Sequence, residues 1–411
     1  MKLKYLIHIV YAAILVFIAG CVYEFEADLE SQKLLEEYVT VDGDIIVGDT
    51  SIIYVGFTNP VNTKALNTGD GFNGKYALVW VEDEEGRTWW GKDTTLTISY
   101  SQRESFHDYS YVPYNQSRYY IDTRDLDING KYRLCVSVPD KGEYKTPFKE
   151  VLIAQDIDTL QYIIDPDKSN IHIMLSASGK EGQTSYYRWH YREDWENTPP
   201  VIPNILYNMR HNYMYDVTPE MRDSIRKCMT FVHSYDILIE STDDLSENSL
   251  VNKRLLSFSA QSRRMVGLYC FTLYQTPLDK EGYDFYRAMV VNDDLGGLYA
   301  PFPNEIIGNV LCTTNSNTIA LGYVNVCTRS VKRIFIDGNK HKLVDRNKCT
   351  KEMKVVKQDD WYRTYQMPDM KPYDYYHDTA TDSTMFDKTY WGSAFCLSIG
   401  PCSPKPYFWP K

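Results

Sequence analysis

Gly130-Lys131-Tyr132-Arg133-Leu134-Cys135-Val136-Ser137-Val138 decides the fold class. In an extended chain successive side chains point to opposite faces, so Tyr132, Leu134, Val136 and Val138 share one side. Lys131, Arg133 and Ser137 share the other, which makes this a strand with one face in a core. Upstream, Val39-Thr40-Val41, a turn at Asp42-Gly43-Asp44 and Ile45-Ile46-Val47 repeat the theme. Ser51–Val55 continues it, and Ala77–Val81 runs into a turn at Asp83-Glu84-Glu85-Gly86. Short strands at this spacing predict an immunoglobulin-like β-sandwich over residues 37–155, with Ser101–Ser117 as a long loop. Asp125-Leu126-Asp127-Ile128-Asn129-Gly130 begins like a calcium loop, but its twelfth position is Val136 and a strand follows. A hairpin turn is the better reading, with Asn129-Gly130 supplying positive φ.

A larger β-rich domain with a few helices is expected over 156–411. Ile171–Ser176 and Tyr186–Arg192 read as strands. In the second, Tyr187, Trp189 and Tyr191 fall on one face and Arg188, His190 and Arg192 on the other. After a Pro- and Asn-rich insertion, Asn197–Val217, a helix starts at Thr218-Pro219-Glu220: Thr218 can cap it and Pro219 suits its first position. Asp243–Leu256 reads as a short helix. Arg264–Gln275 is an apolar strand, and Leu278–Asn292 an amphipathic helix with Tyr283, Phe285, Tyr286 and Met289 inward. Strands return at Thr318–Val326 and Val331–Ile336. Met367–Trp391 lacks a period and reads as loop.

Residues 1–20 carry Lys2 and Lys4, then an apolar run from Tyr5 that closes on Ile18-Ala19-Gly20, directly before Cys21. A basic start, an apolar stretch and small residues before a cut make a secretory leader. With a cysteine next, the segment resembles a bacterial lipoprotein signal, which implies that cleavage leaves Cys21 as a lipidated N-terminus. The charged residues 21–36 then form an acidic tether, similar to signals that carry lipoproteins to the outer surface. The formal charge is −11 with the leader. That acidity argues against nucleic acid and against adhesion to anionic lipid, so the acyl chains must hold the protein on the membrane.

The nine cysteines leave eight beyond Cys21, an export-type complement that permits disulfides. Eight allow 105 pairings; Cys396 and Cys402, the nearest pair, are the best choice for a local bridge. Cys135 and Cys270 sit in apolar alternating runs as buried thiols. The histidines are scattered, with no HExxH, G-x-S-x-G, P-loop or dinucleotide fingerprint. Catalytic, metal-binding and cofactor-binding residues are therefore not assigned. Asp followed by Thr or Ser and a small or apolar residue recurs at Thr94, Thr159, Ser224, Thr379 and Ser383, a pattern similar to an O-glycosylation acceptor.

Further motifs run in a characteristic order. Tyr283-Asp284-Phe285-Tyr286 leads to Gly296-Gly297-Leu298-Tyr299-Ala300-Pro301-Phe302-Pro303-Asn304, Ile307-Gly308-Asn309-Val310, Leu321-Gly322-Tyr323-Val324 and Lys332-Arg333-Ile334-Phe335-Ile336. With Val41-Asp42-Gly43, Tyr186-Tyr187-Arg188-Trp189, Cys228 and Pro406-Tyr407-Phe408-Trp409, the order resembles the Bacteroidota lipoproteins grouped as domain of unknown function 4249. The chain departs from that pattern at Met229, where the family often has Trp, and in the wider spacing of Cys396 and Cys402. The resemblance implies an outer-membrane protein beside a TonB-dependent β-barrel transporter and transfers no catalytic residue. The expected function is thus a lipid-anchored, outward-facing, non-catalytic accessory or binding protein in nutrient uptake. The alternatives are a surface glycan or peptide hydrolase and a structural or adhesion protein of the envelope. Read without the family, the Gly and Pro residues around 296–309 keep turns in shape.

Overall fold

The computed structural model describes residues 38–58, 77–94, 116–226, 228–234, 236–294, 308–315, 320–344, 349, 353–399 and 403–410. The leader, Cys21, the tether, most of the loop expected at Ser101–Ser117, the Gly296–Asn304 motif and Cys402 lie outside them. The chain is mainly β, with several sheets and few helices.

The first body holds β1 (Val39–Asp42), β2 (Ile45–Ile46), β3 (Thr50–Phe57), β4 (Leu78–Asp83), β5 (Thr88–Trp90), β6 (Lys92–Asp93), β7 (Gln116–Asp122), β8 (Lys131–Val138), β9 (Gly142–Lys145) and β10 (Lys149–Glu150). One sheet runs β1-β3-β7-β6 and the other β9-β8-β4-β5, with β10 beside β8. The alternation read in β8 holds: Tyr132, Leu134, Val136 and Val138 are buried in one core with Ile53, Val55, Tyr119 and Ile121 of the opposite sheet. Burying side chains of this size is worth about 1.5–3 kcal/mol each.

The expected boundary at residue 155 needs correction. Leu311–Cys312 pairs with β9, Ala320–Leu321 runs parallel to β1, and Val326–Cys327 runs parallel to β2. Val310, Ala320, Val324 and Val326 belong to the first core. The immunoglobulin-like module expected over 37–155 is thus, in its coarser form, a two-sheet sandwich completed by strands from much later in the chain. Local pattern identifies a strand but carries no record of its partner. The segment Asp125–Gly130 also differs from the hairpin expected. It links β7 to β8, which lie in different sheets, and neither Asn129 nor Gly130 has positive φ. Asp127 shapes the turn instead, accepting from the Asn129 N–H at 3.0 Å through its side chain.

The second body comprises β11 (Asp156–Ile164), β12 (Asn170–Ser178), β13 (Tyr186–Glu196), β14 (Ile205–Asn208), β15 (Tyr213–Asp216), helix α1 (Pro219–Arg226), β16 (Met229–His233), β17 (Leu238–Ser241), β18 (Ser249–Ser259), β19 (Leu268–Leu278) and α2 (Lys280–Asp294). The three short segments above are β20–β22. After them come β23 (Ser330–Asp337), α3 (Gly338–His341), β24 (Lys354–Lys357), α4 (Trp361–Tyr365), β25 (Met370–Asp378), β26 (Ser383–Ser393) and α5 (Ala394–Leu397). Sheet β11-β12-β18 and sheet β16-β13-β19-β23 share a core containing Ile171, Ile173, Leu175, Tyr187, Trp189 and Phe271. The indole of Trp189 donates to Gln275 at 2.8 Å, so its polar atom is satisfied inside. A third, smaller sheet, β24-β26-β25, packs on Trp361, Trp391 and Tyr207.

Several local readings change. The helix expected at Asp243–Leu256 is β18, and the loop expected at Met367–Trp391 is the hairpin β25–β26. Both strand pairings slip register, between Ile173/Met174 and Leu175/Ala177 against β18, and between Pro372/Asp374 and Tyr375/Tyr376 against β26. A bulge adds an unpaired residue and breaks the period of two by which a strand is recognised. Helix α1 starts as expected, with Met221 N–H donating to the Thr218 hydroxyl at 3.3 Å. Helix α2 begins two residues later than expected because Leu278 ends β19. Phe285 and Tyr286 are buried but Met289 is exposed. The Cys396–Cys402 bridge is replaced by Cys349–Cys396, since residues distant in sequence meet where β26 turns into α5. Cys228 is also disulfide-bonded, while Cys135, Cys270, Cys312 and Cys327 are free thiols.

Candidate functional site

The alternation of β13 divides its side chains between two environments. Tyr187 and Trp189 enter the core, and the opposite face carries Arg188, His190, Arg192 and Asp194. Strand pairing extends that face sideways. His190 lies opposite Tyr274, and Arg192 lies opposite both Thr272 and His233. Thr272 in turn lies opposite Arg333. One row therefore crosses four strands as His233, Arg192, Thr272 and Arg333, with His190 and Tyr274 in the next row.

The first body supplies a facing wall. Register places Asp42, Tyr54 and Arg118 in one row across β1, β3 and β7. The two walls are pinned at one end by Arg188, whose guanidinium reaches Asp44 at 3.1 Å and Asp42 at 3.7 Å and lies 4.0 Å from the Tyr286 ring centre. Arg329 adds a second pin to Asp49 at 2.5 Å. Desolvation is the largest influence on Asp44 and raises its carboxyl above the ordinary range despite Arg188.

Electrostatics sets the character of this polar face. Burial lowers the His190 imidazole well below its usual range, and the charges of Arg188 and Arg329 lower it further. His233 touches solvent, yet burial, Arg192 and Arg118 bring it down to about 4. Both rings are neutral at physiological pH. The Tyr274 phenol is raised by burial, while three guanidinium groups, those of Arg329, Arg192 and Arg333, pull it back. The carboxylates at the margins are occupied: Asp194 is held by Arg192 at 2.6 Å, in addition to the two pins described. Arg333 stacks 4.3 Å from the Phe408 ring, and its buried Nε has no hydrogen-bond partner. Among the described residues the Tyr274 hydroxyl and the imidazoles of His190 and His233 likewise make no hydrogen bond. A face with unused donors amid arginines can hold a ligand by charge and hydrogen bonding.

The sequence separated the two faces of β13 correctly but treated His190 as an isolated histidine. Nothing local tied it to His233, Tyr274 and Arg333, which arrive from β16, β19 and β23. Cys21, the one residue given a chemical fate, lies outside the described residues. No group of three His, Cys, Asp or Glu side chains placed to hold a metal occurs among the described residues. Thr379 and Ser383 of the acceptor-like triplets are exposed at the tip of the β25–β26 hairpin. Gly308 and Asn309, from the motif run, have a structural role. The Asn309 side chain donates to the Val324 carbonyl at 2.8 Å and accepts from its N–H at 2.9 Å. A Cβ on Gly308 would lie 1.7 Å from the Gly322 oxygen, so the two segments can meet only as glycine backbone.

No helix among the described residues is long and apolar enough to cross a membrane. No curated protein matches the chain. A family model does, over residues 22–333, which include the rows of both bodies described above: the chain belongs to the family described as Domain of unknown function (DUF4249).

Proposed function

We propose that this chain is a lipid-anchored outer-membrane protein, facing outward, that binds a small ligand without catalysis as the accessory of a TonB-dependent nutrient transporter. The observation that carries the binding part is the set of side-chain polar groups without hydrogen bonds among the described residues, on Tyr274, Arg333, His190 and His233, along one face of the β16-β13-β19-β23 sheet. Converging polar groups of this kind fix the orientation of bound small molecules. The anchoring part is supported by the leader-like residues 1–20 ending before Cys21. Purification of the native protein from gently solubilised membranes should bring along a β-barrel transporter; recovery of the protein alone removes the accessory role. Acyl labelling should be lost in Cys21→Ala, and its persistence there overturns the anchor.

A further inference from the structure

Resting on that reading of the polar face, we infer that its ligand carries a compact oxyanion (a carboxylate, sulfate or phosphate group) seated at the Tyr274 hydroxyl among Arg192, Arg329 and Arg333. Strand register sets Arg192 and Arg333 in the row beside Tyr274, Arg329 lies over its ring, and all three guanidinium groups act on its phenol. Asp194 is already bound to Arg192, and Arg329 is partly occupied by Asp49 and stacks on the Tyr274 ring at 4.8 Å. Arg333 has no carboxylate within ion-pair distance among the described residues and leaves a buried N–H unused. A desolvated guanidinium without a counter-charge is costly, and an incoming oxyanion both neutralises it and accepts its hydrogen bonds. His190, opposite Tyr274 and neutral at physiological pH, adds an N–H donor. The carboxylates paired to these arginines, Asp194 and Asp49, are already engaged. The chain as a whole is acidic, at −11, so this concentration of arginine runs against its overall balance.

The test is calorimetric titration of the full mature chain with inorganic phosphate, inorganic sulfate, glucuronate and glucose at constant ionic strength. At least one of the three anions should bind saturably at one site per chain, and glucose should not. Tyr274→Phe removes only a hydroxyl that bonds to nothing in the free protein, so it should fold normally and weaken the anion roughly tenfold. Arg333→Gln should weaken it by about tenfold or more, the effect of a lost charge-assisted hydrogen bond. Glucose binding while all three anions fail, absence of anion binding up to about 10 mM, or wild-type anion affinity in both variants each overturns the inference. Its fate is separable from that of the accessory role. A transporter recovered without anion binding sinks only the oxyanion, and anion binding by a protein recovered alone sinks only the partnership.

Discussion

At the scale of single residues, Arg188 shows how one side chain joins two bodies. It projects from β13 of the second body, is itself buried, and finds Asp44 of the first body at 3.1 Å, also buried. Replacing one member of such a pair strands the other charge and costs roughly 3–5 kcal/mol. Arg188→Met should therefore lower stability by that order at neutral pH. The sign of the pH effect follows from Asp44, whose folded-state carboxyl is already raised above 3.8 by burial. A raised acid binds its proton more tightly when folded, so stability from this group grows as pH falls from neutral towards its unfolded value. Loss of Arg188 raises it further. The penalty of Arg188→Met should thus be largest at neutral pH and shrink in acid, as measured by urea unfolding at pH 7 and pH 5; an equal penalty at both would falsify the assignment. The face on which Arg188 sits was legible from the alternation of Tyr186–Arg192. Its partner, 144 positions away, was not.

Among elements, the regular ones announced themselves and the irregular ones did not. β8 and β12 alternate cleanly and were readable, whereas β18 and the β25–β26 hairpin contain bulges that disrupt the pattern. In the latter, Pro372 and a run of Tyr residues look unstructured until Trp391 is seen buried against Trp361 and Tyr207. The disulfide belongs to this scale. Cys349–Cys396 closes a loop with a sequence separation of 47 and ties the segment before β24 to α5. On the chain-entropy model, a loop of that length is worth roughly 4 kcal/mol. Cys349→Ala with Cys396→Ala should lower the denaturation midpoint accordingly, and reduction of the native protein, which also opens the Cys228 bridge, should lower it at least as far. A double variant as stable as the parent overturns the structural role of this bridge. Nearest-neighbour spacing pointed to Cys396 with Cys402 because distance along the chain is all that a sequence offers.

For the whole molecule, the governing fact is that the first sandwich is not contiguous. Segments at 311–312, 320–321 and 326–327 enter its sheets, and Val310, Val324 and Val326 fill its core. A fragment of residues 37–155 therefore lacks part of its core and two parallel edge pairings. It should fail to show cooperative thermal unfolding and sharp near-ultraviolet dichroism, while the full mature chain shows both; a cooperatively folded 37–155 fragment overturns this. The same non-contiguity builds the polar face, since the returning chain leads directly into Arg329, Ser330 and β23 with Arg333.

The sequence by itself determined the class of the chain: mainly β, with the buried and outward faces of β8 and β13 and the start of α1 all written in local periodicity and capping. It also placed Arg188, His190 and Arg192 together on one face, because alternation is a property of neighbouring residues. Only the tertiary structure decided which strands complete the first sandwich, which cysteine meets Cys396, and that His233, Tyr274, Arg333 and Arg118 gather around that face. Those outcomes depend on closing loops of tens to hundreds of residues. Such closure costs only slowly growing entropy with length, so local sequence barely constrains it, and the choice is made by the core that the distant segments bury together.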